Sequence, residues 1–142
     1  ATLYFANTTS QTHNVQLNLA SNSTVSVFDA ATTVTGQVTL TGTSTIGTNA
    51  DLILSGQITG SGGFQKTGAN TLQLTGAGSD YAGSTLVNQG TLKLGDASGL
   101  GTTAGATTVA NGATLDLNGQ TIGAEAVTLN GTGVSSVGAL IN

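Results

Sequence analysis

One short motif constrains this chain more than any other feature: an apolar residue, any residue and a second apolar residue, followed within two positions by glycine. Its two densest copies are Leu72–Leu74 and Leu92–Leu94. A repeating unit of roughly 20 residues cannot bury its own apolar face, so the repeat predicts a solenoid in which neighbouring coils cover one another. The six copies are Val38–Leu40, Leu52–Leu54, Leu72–Leu74, Leu92–Leu94, Leu115–Leu117 and Val127–Leu129.

Two all-β architectures accept such strands. An antiparallel sandwich or barrel uses two-residue hairpins, and Asn111-Gly112, Asn118-Gly119 and Asn130-Gly131 are suitable turn pairs. A parallel β-helix instead stacks the equivalent strands of successive coils. The recurrence of the motif at one preferred period favours the parallel β-helix, because a hairpin protein has no reason to keep one period. We predict six or seven coils.

In that fold, the first residues of the six copies predict one inward column and the third residues a second. The middle residues predict an outward column, in which Lys93 and Asp116 are neighbours. An exposed pair of opposite charge contributes about 0.2–1 kcal/mol, so we interpret it as support for the register. Weaker strands are predicted at Gln57–Ile58, Leu86–Val87, Thr108–Val109 and Thr121–Ile122. The predicted outward column is Thr39, Ile53, Gln73, Lys93, Asp116 and Thr128.

The length of 142 residues predicts one β-helix domain, or a fragment of a longer one, over residues 1–142. Residues 1–30 are the least regular and predict an N-terminal coil with edge strands. A terminal coil has unpaired backbone N–H and C=O groups that invite pairing. We therefore assign a hypothetical assembly edge to five apolar residues near the two ends: Leu3, Tyr4, Phe5, Leu140 and Ile141.

Charge and composition exclude several classes of function. The net charge is −4, with two lysines and no arginine, so the surface is unsuited to nucleic acid or to anionic membranes. Cysteine is absent, which removes disulfides and thiolate chemistry. No long apolar run predicts a membrane-spanning helix. Residues 1–6 lack the basic start of a signal peptide, so no signal peptide is predicted.

Residues 60–95 resemble the passenger-associated transport repeat of autotransporters, the type V secreted proteins. The stretch contains Lys66-Thr67-Gly68, then Thr71-Leu72-Gln73-Leu74-Thr75-Gly76, then Tyr81-Ala82-Gly83, and finally Gly90-Thr91-Leu92-Lys93-Leu94. It departs from the family pattern at Phe64, where leucine is usual, and at Asn70, where glycine is usual. The resemblance implies a right-handed parallel β-helix that is exported through a C-terminal β-barrel. It also implies an extracellular or cell-surface location on a Gram-negative bacterium.

No catalytic, cofactor or metal site is predicted. Glycosidic chemistry needs paired carboxylates, whereas the acids here are spread over many turns. His13 is the only histidine and has no serine–acid context. The glycine-rich segment 60–63 lacks the lysine and the helix of a phosphate loop. The acidic residues are Asp29, Asp51, Asp80, Asp96, Asp116 and Glu125.

The sequence therefore predicts a non-catalytic, secreted or cell-surface β-helix that acts as a rigid scaffold and adhesion surface. The expected partners are its own translocator β-barrel, further copies joined end to end, and a host or matrix surface, with no nucleic acid. One alternative is a filament subunit that stacks through open β-helix edges. A third, less favoured reading is a polysaccharide-active enzyme.

Overall fold

A computed structural model describes all residues, 1–142. It contains seventeen short β-strands and one 3₁₀ turn, Val134–Ser136. No helix has the length and apolar character needed to cross a membrane. The strands are β1 Thr2–Ala6, β2 Gln11–His13, β3 Leu17–Leu19, β4 Thr24–Phe28, β5 Thr32–Val34, β6 Val38–Leu40, β7 Ser44–Thr48, β8 Leu52–Leu54, β9 Ile58–Thr59, β10 Phe64–Thr67, β11 Thr71–Leu74, β12 Thr85–Val87, β13 Gly90–Leu94, β14 Thr107–Val109, β15 Ala113–Asp116, β16 Val127–Leu129 and β17 Leu140–Ile141.

The strands form three parallel sheets that wind as a solenoid. The first sheet has the order β1-β4-β7-β10-β12-β14-β16, the second β2-β5-β8-β11-β13-β15-β17, and the third β3-β6-β9. Each of seven coils contributes one strand to the first sheet and one to the second. Coils 1 to 3 also contribute to the third sheet, whereas coils 4 to 7 do not. The predicted parallel β-helix of six or seven coils is confirmed.

The register confirms the centre of the predicted columns and corrects their ends. Leu52, Leu72, Leu92 and Leu115 pair in succession on the second sheet. Val38–Leu40 instead lies in the third sheet and Val127–Leu129 in the first, so their placement in these columns was wrong. The error has a physical origin: every sheet of a solenoid needs inward apolar residues, so the motif does not identify its sheet.

The outward column is also right at its centre and wrong at its ends. Ile53, Gln73, Lys93 and Asp116 are successive partners, and Lys93 Nζ lies 3.6 Å from Asp116 Oδ2. Thr39 lies in the third sheet and Thr128 in the first, because the motif does not distinguish between the sheets. Of the four weaker strands, three correspond to β9, β12 and β14. No strand forms at Thr121–Ile122, which lies in the irregular segment after β15.

The core is a continuous apolar column along the solenoid axis, formed by 25 buried apolar residues. Leu52, Leu72 and Leu92 are fully buried within it. Burying a leucine side chain stabilises the fold by roughly 1.5–3 kcal/mol. Each coil depends on its neighbours for this burial, as expected of a repeat whose units cannot fold alone.

Stacked glycines mark all three corners of the solenoid. Between the second and third sheets, a Cβ atom on Gly56 would lie 2.1 Å from the Gly36 carbonyl oxygen, and one on Gly76 would lie 2.0 Å from that of Gly56. Between the third side and the first sheet, a Cβ on Gly62 would lie 2.3 Å from the Gly42 oxygen. At these corners the backbone of one coil packs directly on that of the next, which leaves no room for any side chain.

Where the third sheet ends, serine hydroxyls continue its hydrogen bonding. The Ile58 N–H at the edge of β9 donates to Ser79 Oγ at 3.1 Å. The Ser79 N–H donates to Ser98 Oγ at 3.0 Å, and the Ser98 hydroxyl donates to Asp96. The third side therefore continues through coils 4 and 5 without regular strands.

Candidate functional site: a caged lysine and two open ends

The corner between the first and second sheets contains a buried lysine. Lys66 lies in β10, and its register partners are Ile46 on one side and Val87 on the other. These belong to an inward column of the first sheet that is otherwise aliphatic, from Val25 to Val109. Lys66 is nevertheless 0 % exposed. Because buried lysines are rare unless their charge is satisfied, the surroundings of Nζ decide its role.

Four oxygen atoms surround the Lys66 ammonium, and three consecutive coils supply them. Nζ donates to Thr48 Oγ1 at 2.7 Å in coil 3 and to the carbonyl oxygens of Thr67 and Gly68 at 3.2 and 2.8 Å in coil 4. It also donates to the Gln89 carbonyl at 2.8 Å in coil 5. The Thr48 hydroxyl lies 3.1 Å from Thr67 O and 3.0 Å from Asn70 O. The ammonium therefore links three successive coils at this one corner, as a bound cation would.

This environment shifts the protonation of the lysine. Burial lowers the pKa of Lys66 from 10.5 to about 8, and the charge of Asp51 partly opposes the shift. No solvent reaches the amine, so it is unavailable to a substrate. The geometry indicates a structural role, in which a charge at the corner satisfies carbonyl groups that have turned inward.

The sequence contained a signal for this site that the motif reading missed. In Phe64-Gln65-Lys66, the first and third positions both point inward, since side chains alternate along a strand. Sequence reasoning assigned Lys66 only to the Lys66-Thr67-Gly68 part of the repeat. Its parity with Phe64, together with Ile46 and Val87 in the neighbouring coils, places it in the core.

Tyr81 fills the third side of coil 4, where no strand forms. It is fully buried, its hydroxyl lies 2.6 Å from Thr85 Oγ1, and it donates to the Gly99 carbonyl at 3.3 Å. Its ring centroid lies 5.7 Å from that of Phe64. Burial raises the pKa of the Tyr81 phenol far above its ordinary value, against the opposing effect of the Thr85 hydrogen bond. The tyrosine is a core residue with a satisfied hydroxyl.

The five residues of the hypothetical assembly edge lie at the two ends of the solenoid. In β1, Leu3 and Tyr4 are 39 % and 62 % exposed, whereas Phe5 is buried against the His13 ring at 4.8 Å between centroids. In β17, Leu140 is 40 % exposed and Ile141 is half-buried. Because β1, β2, β16 and β17 end their sheets, each has one unpaired edge. The assembly role of these residues stays a prediction.

The remaining polar candidates are dispersed. Asp96 accepts hydrogen bonds from the hydroxyl and the backbone N–H of Ser98, and these bonds lower the pKa of its carboxyl. His13 Nε2 lies 3.4 Å from Asn7 Nδ2. No group of three or more His, Asp or Glu side chains lies close enough together to hold a metal ion.

Comparisons with known proteins identify the central coils. Residues 64–94 match the family model described as the passenger-associated-transport-repeat. The chain carries an autotransporter passenger segment. The matched residues include both Lys66 and Tyr81, so the repeat coincides with the caged lysine and the buried tyrosine. The predicted resemblance is therefore confirmed.

A curated relative extends this similarity beyond the repeat. The chain is 38 % identical over 95 residues to the adhesin BmaC autotransporter of Brucella suis biovar 1 (strain 1330). The aligned part covers 67 % of this chain but spans only 2 % of the length of that protein. No solved structure matches the chain significantly.

Proposed function

We propose that this chain is a non-catalytic segment of a secreted or cell-surface autotransporter passenger, serving as a rigid scaffold with an adhesive outer surface. The observation that carries the proposal is the match of residues 64–94 to the passenger repeat within an unbroken seven-coil stack. The adhesin name of the relative supports the adhesive part.

The proposed mechanism is mechanical. Parallel strands of the first and second sheets run through all seven coils, and at about 4.8 Å per coil they give a rod on the order of 30 Å long. Backbone hydrogen bonds between coils and the continuous apolar column make this rod stiff. The partners we propose are a translocator β-barrel in the same polypeptide and a host or matrix surface outside a Gram-negative cell.

Surface location and adhesion are tested separately. Antibodies raised against the folded chain should label intact cells of the bacterium that makes it, and external protease should remove the label. Labelling that appears only after lysis contradicts the location. Fab fragments of these antibodies should then reduce attachment of the cells to host-cell monolayers or matrix-coated surfaces. Unchanged attachment under saturating Fab contradicts the adhesive role, and the chain would then act only as a rigid spacer.

A second candidate function, a subunit of an end-to-end filament, is favoured by the distribution of exposed apolar residues. All six exposed large apolar side chains lie in the first or the last coil: Leu3, Tyr4, Val15, Leu129, Val137 and Leu140. Head-to-tail stacking of a second copy would cover them and pair the open strands.

Negative-stain microscopy and light scattering at micromolar concentration test the filament. Filaments should form, and Leu3→Asp should abolish them. The matched control is Leu86→Asp, at a half-buried outward position in the middle of the first sheet, which should leave them intact. Monomeric short rods under the same conditions contradict end-to-end stacking.

A further inference from the structure

The outer face of the second sheet bears a concave strip across the first four coils. It encloses about 320 Å³. Its floor is one outward column in which Thr12 pairs with Thr33, Thr33 with Ile53 and Ile53 with Gln73. Asp51 and Thr71 lie along one side. With strands spaced by about 4.8 Å, the strip extends roughly 15 Å along the solenoid.

The polar groups of this strip are available to a ligand. The side chains of Thr12, Thr33 and Gln73 make no hydrogen bond within the chain, unlike polar residues on the outer face of the first sheet. There, Gln65 Nε2 donates to Thr45 Oγ1 at 2.8 Å, and Asn88 Nδ2 donates to Gln65 Oε1 at 3.1 Å. Gln65, Thr45 and Asn88 on the first sheet therefore satisfy one another, whereas Thr12, Thr33 and Gln73 in the strip present free donors and acceptors.

The charge of the strip selects against anions. Its only ionisable side chain is Asp51, whose Oδ1 accepts the Thr71 N–H at 2.9 Å. The nearest cation on this face is Lys93, beyond Gln73 in the same column, and it is paired with Asp116. A bound anion would face this carboxylate with no exposed base beside it, because the nearby Lys66 ammonium is buried.

The chemistry of the lining favours a hydroxyl-rich chain over a peptide strand. β5, β8 and β11 have hydrogen-bonded neighbours on both sides, so only the end strand β2 could accept an added strand, and that strand would lie beyond the strip and not in it. Each threonine hydroxyl and the glutamine amide can both donate and accept, as can each hydroxyl of a sugar. Ile53 offers an apolar patch at the centre of the strip for the C–H face of a sugar ring.

We propose that this strip is a binding groove for an uncharged polysaccharide chain. The inference rests on the proposed adhesive function and names its ligand class. Binding requires contact across several coils, because the free polar groups are distributed one or two per coil.

Two identical Thr-Thr-Val strands provide a matched pair of variants. Thr33 lies at the centre of β5 in the groove, and Thr108 lies at the centre of β14 on the outer face of the first sheet. Both middle threonines are half-buried between buried neighbours. Thr33→Arg fills the groove, whereas Thr108→Arg makes the same change elsewhere. Equal urea midpoints and circular dichroism spectra of the two variants establish that both fold.

Affinity electrophoresis tests the groove, with dextran, laminarin and galactomannan as neutral probes and polygalacturonate as the acidic probe. At least one neutral glycan should retard the wild-type chain. Thr33→Arg should weaken that interaction by about tenfold or more, and Thr108→Arg should change it by less than about twofold.

Three results overturn the proposal: no retardation by any neutral glycan, retardation by polygalacturonate alone, or equal loss in the two variants. These results are distinguishable from failure of the proposed function, because Fab inhibition of cell attachment is scored independently. If Fab fragments block attachment but no neutral glycan binds, the adhesive function is retained and an uncharged polysaccharide is excluded as its ligand.

Discussion

At each of its three corners the solenoid turns the chain from one sheet to the next, and the corners do so in two ways. At the corners marked by Gly56 and Gly62, the backbones of successive coils touch and no side chain intervenes. At the remaining corner the carbonyl groups of coils 4 and 5 turn inward, and the Lys66 ammonium satisfies them. Backbone contact alone holds the corners at Gly56 and Gly62, whereas the remaining corner combines backbone contact at Gly68 and Gly90 with the hydrogen bonds of a buried amine.

The lysine corner should be the more sensitive to truncation. Lys66→Ala removes a buried aliphatic stem and leaves the caging carbonyls without their ammonium donor. The free energy of unfolding should fall by about 4 kcal/mol. Urea unfolding measures this loss. Lys93→Ala, the matched control at the half-buried lysine of the Lys93–Asp116 pair, should cost at most about 1 kcal/mol. Equal losses in the two variants would contradict the cage.

The glycine corner should be the next most sensitive. Gly62→Ala places a Cβ 2.4 Å from Gly42 N and 2.3 Å from Gly42 O, so backbone must move. We expect a loss of about 3 kcal/mol in the free energy of unfolding. Gly112→Ala is the control: it has a φ of +80° but nothing within 4 Å of the added Cβ, and it should cost about 1 kcal/mol. A Gly62 variant as stable as the Gly112 variant would show that the coils do not touch there.

Between pH 7 and 10, only the lysine corner should change in stability with pH. The folded chain releases the Lys66 proton near pH 8, whereas the unfolded chain releases it near 10.5. Between these values the unfolded state binds more protons, so stability rises with pH. The gain should reach about 2 kcal/mol by pH 10. Above that, the raised pKa of Tyr81 acts in the opposite direction, because the unfolded tyrosine ionises first.

Urea unfolding of Lys66→Met between pH 7 and 10 is the control for this dependence. Methionine retains most of the stem and carries no charge, so the free energy of unfolding should be nearly flat over this range. A Lys66→Met variant with the wild-type pH dependence would assign the effect to another group.

The sequence was sufficient to predict the repeat. It also predicted the inward and outward columns correctly where consecutive copies of the motif lie in the same sheet. Leu72 and Leu92 were placed correctly because one full coil separates them and returns the chain to the same sheet. Val38–Leu40 and Val127–Leu129 were misplaced because all three sheets use the same alternation. The Lys93–Asp116 pair was predicted correctly because both residues lie in the part of the outward column whose register was right.

The caged lysine and the groove were not accessible from the motif. Lysine is ordinarily a surface residue, so the residue type argues against the core position of Lys66 that the alternation with Phe64 indicates. Its burial depends on carbonyl groups from coils that are distant in sequence, such as Gln89. The groove likewise depends on which of several threonine-rich strands lie side by side, and that is set by the winding of the coils.

Nuclear magnetic resonance of the lysine ammonium groups at neutral pH tests the cage most directly, because the chain has only two lysines. We predict a slowly exchanging ammonium signal from Lys66 that titrates at about pH 8, and none from Lys93, whose ammonium group is open to water. Rapid exchange at both lysines, or an unshifted Lys66 pKa, would contradict the buried four-oxygen cage.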